Sequence, residues 1–94
     1  MFEIRVLEPG TVRLAGRLDA SEAERVAQEL QTIQGSIRLD CSELDYISSA
    51  GIGVLIELFK RLQTSGHTMT LVNLLPRVRN IFRYAGLDRL LTIE

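Results

Sequence analysis

Asp45-Tyr46-Ile47-Ser48-Ser49-Ala50-Gly51-Ile52-Gly53-Val54-Leu55 is the stretch from which the fold is read. Ser48 or Ser49 can cap a helix here, because a serine hydroxyl accepts from a backbone N–H that has no helical partner. Ile52, Leu55, Ile56, Phe59 and Leu62 then recur at helical spacing until Ser65-Gly66 ends the run. Small residues crowd the start of this helix and expose a hydroxyl where the helix dipole favours negative charge.

Upstream, Ile37, Leu39 and Cys41 predict a short strand, followed by a polar connection from Ser42 to Tyr46. Asp19 with Glu22 makes a capping-box pattern ahead of Ala23, Val26, Ala27, Leu30 and Ile33, which predicts a helix from Ala20 to Gln34 closed by Gly35. Before it, Phe2, Ile4 and Val6 alternate with Glu3 and Arg5, Glu8-Pro9-Gly10 turns the chain, and Val12, Leu14 and Gly16 return as a second strand. Downstream come a strand from Thr68 to Val72 and a helix opened by Pro76, with Val78, Ile81, Phe82 and Ala85 as its inner face. Gly86 stops that helix, and Leu91 to Ile93 forms a last weak strand.

The order β-β-α-β-α-β-α-β predicts an α/β fold, a mixed sheet of four to five strands with three or four helices packed on it, in one domain spanning residues 1–94. Helix-bearing strand ends gather along one edge of such a sheet, which places Asp19, Asp40 and the Ser48-Ser49 turn close together.

Composition narrows the function. Residues 1–47 hold nine acids and five bases, and residues 48–94 hold six bases and three acids, so no concentrated basic patch points to direct nucleic-acid binding. Arg77, Arg79, Arg83 and Arg89 cluster around the third helix as a solvated face or a contact for an acidic surface. The apolar stretch from Ile52 to Leu62 is broken by Gly53, Glu57, Lys60 and Arg61, so no membrane insertion is expected. Met1 leads straight into strand-like sequence, so a cytoplasmic location is expected. One cysteine, Cys41, and one histidine, His67, provide no metal ligand set, and no cofactor is expected. Ser49 is flanked by Ile47 and Gly51 where a hydrolase elbow needs two glycines, and Gly51-Ile52-Gly53 has no phosphate-loop spacing. The expectation is a binding module and no enzyme.

Gly16-Arg17-Leu18-Asp19, Leu39-Asp40-Cys41-Ser42, Tyr46 to Leu55, and Val78 with Ala85-Gly86-Leu87 follow one another in an order that resembles the STAS domain of anti-sigma factor antagonists. The resemblance implies a partner-switching protein. The unphosphorylated form binds an anti-sigma factor serine kinase of the histidine-kinase-like ATPase type and so frees a sigma factor. That kinase phosphorylates one serine, and a PP2C-type phosphatase restores it. Aligned on Gly51-Ile52-Gly53, the serine is Ser49, with Ser48 as second choice. The family usually carries Asp-Ser where this chain has Ser48-Ser49. The same scaffold also serves as a structural or ligand-sensing subunit, for example of a membrane transport assembly, without phosphorylation.

A helical wheel sets Ser49, Ala50, Gly53, Val54 and Glu57 outside the core stripe and predicts a shallow partner-facing strip, with Asp19, Asp40 and Ser48 beside it. The structural alternatives are that Asp19 and the serines act only as caps and that Gly53 only relieves crowding against a strand.

Overall fold

A computed structural model describes residues 1–94. The elements are β1 (Phe2–Glu8), β2 (Thr11–Leu18), α1 (Ala20–Leu30), β3 (Ile37–Ile47), α2 (Ser49–Thr64), β4 (Met69–Val72), α3 (Pro76–Tyr84), a 3-10 turn (Leu87–Arg89) and β5 (Thr92–Ile93). The five strands lie side by side in chain order, β1 antiparallel to β2 and the others parallel. This is the mixed sheet and element order expected from the hydrophobic periods.

Register separates the two sheet faces. Val12, Leu39 and Leu71 face one another across β2, β3 and β4, and with Leu14, Ile37 and Met69 they form the inner face. This row joins Val26 and Leu30 of α1 and Leu55, Leu58 and Leu62 of α2 in one cluster of 20 buried residues. At about 1.5 to 3 kcal/mol per buried large apolar side chain, the cluster is the main source of stability.

Two boundaries and two helix faces differ from the sequence expectation. β3 runs on to Ile47, so Ser42 to Tyr46 is strand and not a connection. Two irregularities in its pairing with β2, one between Arg13 and Ala15 and one between Gly16 and Arg17, absorb extra residues and hide the period-two pattern. α1 ends at Leu30, because Arg61 of α2 donates to the carbonyls of Leu30 and Ile33 at 2.8 and 3.0 Å and takes up groups that a longer helix would satisfy itself. The buried line of α2 is Gly51, Leu55, Leu58 and Leu62, with Ile52, Ile56 and Phe59 only half-buried at its flank. Ala85 is exposed at the end of α3, whose inner face is Val78 and Phe82.

The opposite sheet face carries Arg13 beside Asp40, the one buried charged residue. Asp40 Oδ2 accepts from Arg13 Nε at 3.0 Å, and Oδ1 accepts from the Ser42 N–H at 3.1 Å and the Asn73 amide at 3.2 Å. Asn73 holds a left-handed φ of 62°, which asparagine tolerates better than most residues, and its bond to Asp40 helps to fix the β4–α3 link. Burial by itself would raise the Asp40 pKa, but the Ser42 N–H, the Asn73 amide and the Arg13 guanidinium outweigh it and hold the carboxyl below its usual range.

A carboxyl depressed in the folded state contributes stability above its unfolded value of about 3.9, and that contribution is lost as pH falls through the lower folded value. Asp40→Ala is therefore expected to cost about 2 kcal/mol at neutral pH, allowing for the partly solvated Arg13. In urea denaturation the gap from the wild type should narrow steadily below about pH 4.

Candidate functional site

β2 and β3 finish together. Leu18 is paired with Ile47, and the ladder extends one step further through the Ser48 N–H to the Leu18 carbonyl at 2.9 Å. Asp19 and Ser48 therefore leave adjacent strands side by side, and each caps the helix that follows.

Asp19 Oδ1 accepts from the Ser21 N–H at 3.1 Å and from the Ser21 hydroxyl at 2.6 Å. The Ser21 hydroxyl is the main reason that its carboxyl lies below the usual range; it outweighs the opposing effect of burial, with further help from the Ser21 and Glu22 N–H groups and the Arg17 charge. The site thus keeps a carboxylate at neutral pH. Glu22 does not reach back to complete a capping box, because Arg25 holds its carboxylate at 2.7 Å.

Ser48 Oγ accepts from the Gly51 N–H at 3.2 Å and is the N-cap of α2. Ser49 is then the first helical residue, exposed, and its hydroxyl makes no hydrogen bond. Serine and aspartate cap by the same acceptor geometry, so Ser48 keeps the cap in place while removing a negative charge from beside Ser49.

The two glycines of Gly51-Ile52-Gly53 have opposite reasons. A Cβ on Gly51 would stand 2.7 Å from the Leu18 carbonyl oxygen, 2.8 Å from Leu18 Cγ and 2.9 Å from Ile47 Cγ1, so the start of α2 rests directly on the two strand ends. A Cβ on Gly53 would meet nothing within 4 Å. Relief of crowding is thus excluded as the reason for Gly53.

Ala50 and Glu57 are exposed, and Gly53 and Val54 are half-exposed. Val54, Glu57 and Arg61 of α2, with Ala27, Leu30 and Gln31 of α1, line a shallow groove of about 230 Å³ that continues the strip.

Asp40 is a correction. It lies five β2 residues back from the Leu18–Ile47 end, level with Arg13, which is about 17 Å away at the usual rise per residue. The long β3 separates it from the turn that the short-strand reading had set beside it, and its oxygens are engaged by Arg13, Ser42 and Asn73. Arg17 is a neighbour of the turn that the sequence reading missed: its guanidinium lies 4.4 Å from the centre of the Tyr46 ring, and each of the two stands two residues before a cap position. Only strand pairing reveals that contact, since 29 positions separate Arg17 from Tyr46 in the chain. Of the arginines around α3, Arg77 pairs with Asp45 at 3.3 Å and Arg79 donates to the Glu94 carbonyl at 3.2 Å. Cys41 is buried and its thiol is pushed up to about 12, first by burial and then by Asp40, so it is inert as a nucleophile. No helix is long and apolar enough to cross a membrane.

Parallel strands delivering two capped helices to one edge, with a free serine at the start of the second, define a STAS-type module. The family model described as "Mlab, STAS domain" matches residues 3–92, and the chain belongs to that family. Its relatives are anti-sigma factor antagonists. The anti-sigma-B factor antagonist of Listeria monocytogenes is 31% identical over 85 residues, which cover 86% of this chain and 75% of that protein. The Bacillus subtilis anti-sigma-B factor antagonist is 29% identical over 86 residues, covering 88% and 79%. Among solved structures, the anti-sigma factor antagonist SpoIIAA in its unphosphorylated form superposes with a TM-score of 0.79 at 22% identity, covering 100% of this chain and 88% of that one. The phosphorylated form of the Bacillus cell fate determinant SpoIIAA gives 0.71 at 21% identity, covering 100% and 91%. At these identities the structures establish the shared fold.

The two glycines should respond in opposite directions. Gly51→Ala is expected to destabilise by about 2 to 3 kcal/mol, because the nearest obstacle is backbone that cannot rotate away. Gly53→Ala should stabilise by about 0.5 to 1 kcal/mol through helix propensity. Thermal and urea unfolding of the two variants measure both.

Proposed function

We propose that the chain is a phosphorylation-switched protein-binding module, in which Ser49 is the modified residue and α2 presents the docking strip. The observation that carries the reading is the exposed, unbonded Ser49 hydroxyl at the first turn of α2, beside Ala50, Gly53, Val54 and Glu57. The unphosphorylated form binds an anti-sigma factor serine kinase of the histidine-kinase-like ATPase type in the cytoplasm and thereby frees a sigma factor. Phosphorylation by that kinase ends binding, and a PP2C-type phosphatase resets the module. The antagonist relatives support this assignment, and the role is one of binding and not of catalysis.

Magnitudes make the switch feasible without refolding. A phosphoserine carries about −1.5 to −2 charge, and at a helix N-terminus it gains roughly 0.3 to 1 kcal/mol in the free domain. Phosphorylated SpoIIAA keeps the same fold, in line with this tolerance. In a complex the dianion is desolvated near the Asp19 carboxylate, at a cost of about 2 to 5 kcal/mol. Asp40 is too distant and too well paired to add to that repulsion.

A second reading, a STAS subunit with a structural or ligand-sensing role in an assembly such as a membrane transporter, is favoured by two observations. The matched family description names Mlab and no antagonist, and Ser48 replaces the acidic residue usual before the switched serine. In that role Ser49 is never phosphorylated. Mass spectrometry after incubation with candidate kinases of the same organism separates the readings.

Binding to the anti-sigma factor kinase, followed by calorimetry, is expected to be unchanged in Ser49→Ala and to weaken about a hundredfold in Ser49→Asp. The double variant Gly53→Gln, Val54→Asp should weaken it similarly while remaining folded. Full affinity in that variant removes the strip from the proposal.

A further inference from the structure

β1 is an edge strand, and its pairing with β2 dictates which backbone groups look outward. The Arg17 N–H donates to the Met1 carbonyl at 3.2 Å, while Phe2 lies opposite Gly16. In an antiparallel ladder hydrogen-bonded and non-bonded pairs alternate, so Met1, Glu3 and Arg5 bond to β2. Phe2, Ile4 and Val6 turn their N–H and C=O groups away from it. The Phe2 carbonyl agrees with this assignment, since Arg25 of α1 reaches over the edge and donates to it at 2.8 Å. The outward groups of Ile4 and Val6 have no such cover, and Val6 is 69% exposed.

We propose that this edge pairs with a second copy of the chain, antiparallel, about a two-fold axis through Ile4. In that register Ile4 faces Ile4 of the partner subunit, and both outward backbone groups of each are satisfied. Phe2 faces Val6 of the partner subunit, which covers the exposed valine, and the two lone pairs of the Phe2 carbonyl are shared between Arg25 and the incoming N–H of the partner's Val6. Glu3 faces Arg5 of the partner subunit and Arg5 faces Glu3 of the partner subunit, so the charge pattern of β1 is its own complement. Glu3 and Arg5 already lie 3.0 Å apart on one face with side chains 60% and 62% exposed, free to pair across a strand boundary. The neighbouring registers lack this match. An axis through Arg5 sets arginine against arginine, and an axis through Val6 sets Arg5 against Leu7.

The occupant is a second copy, and not an arbitrary strand, because the two-fold operation itself generates the opposite charges. The edge lies on a different strand from the docking strip of α2, so this inference does not rest on the phosphorylation reading.

Sedimentation velocity from micromolar to millimolar concentration tests it. The wild type should show concentration-dependent dimers. Arg5→Glu and Glu3→Arg should each weaken self-association about tenfold, because two attractive cross-strand pairs become two repulsive ones. An equimolar mixture of these variants should associate as well as the wild type, and so should the doubly swapped Glu3→Arg, Arg5→Glu chain. Circular dichroism checks that each remains folded, and the swapped chain keeps the test decisive if one single variant does not. A wild type that stays monomeric throughout, or single variants and a mixture that all match the wild type, overturns the proposal.

Discussion

The absence of a side chain at residue 51 governs the geometry of this molecule. The backbone of α2 sits so close to the Leu18 carbonyl and the Ile47 side chain that a single methyl group would overlap both. That approach lets Ser48 continue the strand ladder through its N–H while capping the helix through its hydroxyl. One residue thereby ends β3, starts α2 and leaves the next serine free. Moved outward by a methyl radius, α2 would lose its seat on the strand ends and the buried line Leu55, Leu58 and Leu62 its registry with the sheet.

Polar groups divide by depth, and the division separates structural from interactive roles. Asp40 is buried and saturated by three donors, so its charge is committed to holding β2, β3 and the β4–α3 link together. Asp19 has a similar number of bonds but faces solvent, so its charge is available to whatever docks beside it. Arg61 ties the end of α1 to α2 through two carbonyls and fixes the spacing of the groove between them. Both helices present their exposed surfaces as one unit because that guanidinium couples them.

The legible part of the fold was that carried by local periods and punctuation. Alternation in β1, heptad-like spacing in α2, the Asp19 cap and the glycines at 10, 35 and 86 each act within a few residues, and all three glycines adopt positive φ as turn chemistry demands. Two kinds of feature were not legible. The length of β3 was masked by pairing irregularities that break its alternation, and that error carried Asp40 to the wrong end of the sheet. The stop of α1 at Leu30 depends on Arg61, which lies 31 positions further on.

For the candidate site the same distinction holds. Sequence alone determined that a serine pair opens a helix rich in small residues, because capping and helical spacing are short-range effects. Tertiary structure decided which serine is the cap and which is free, why Gly51 is obligatory while Gly53 is open, and that Arg17 stacks on Tyr46 beside them. These depend on how closely a helix start approaches two strand ends, and close approach is settled by packing among residues far apart in the chain, which no local pattern encodes.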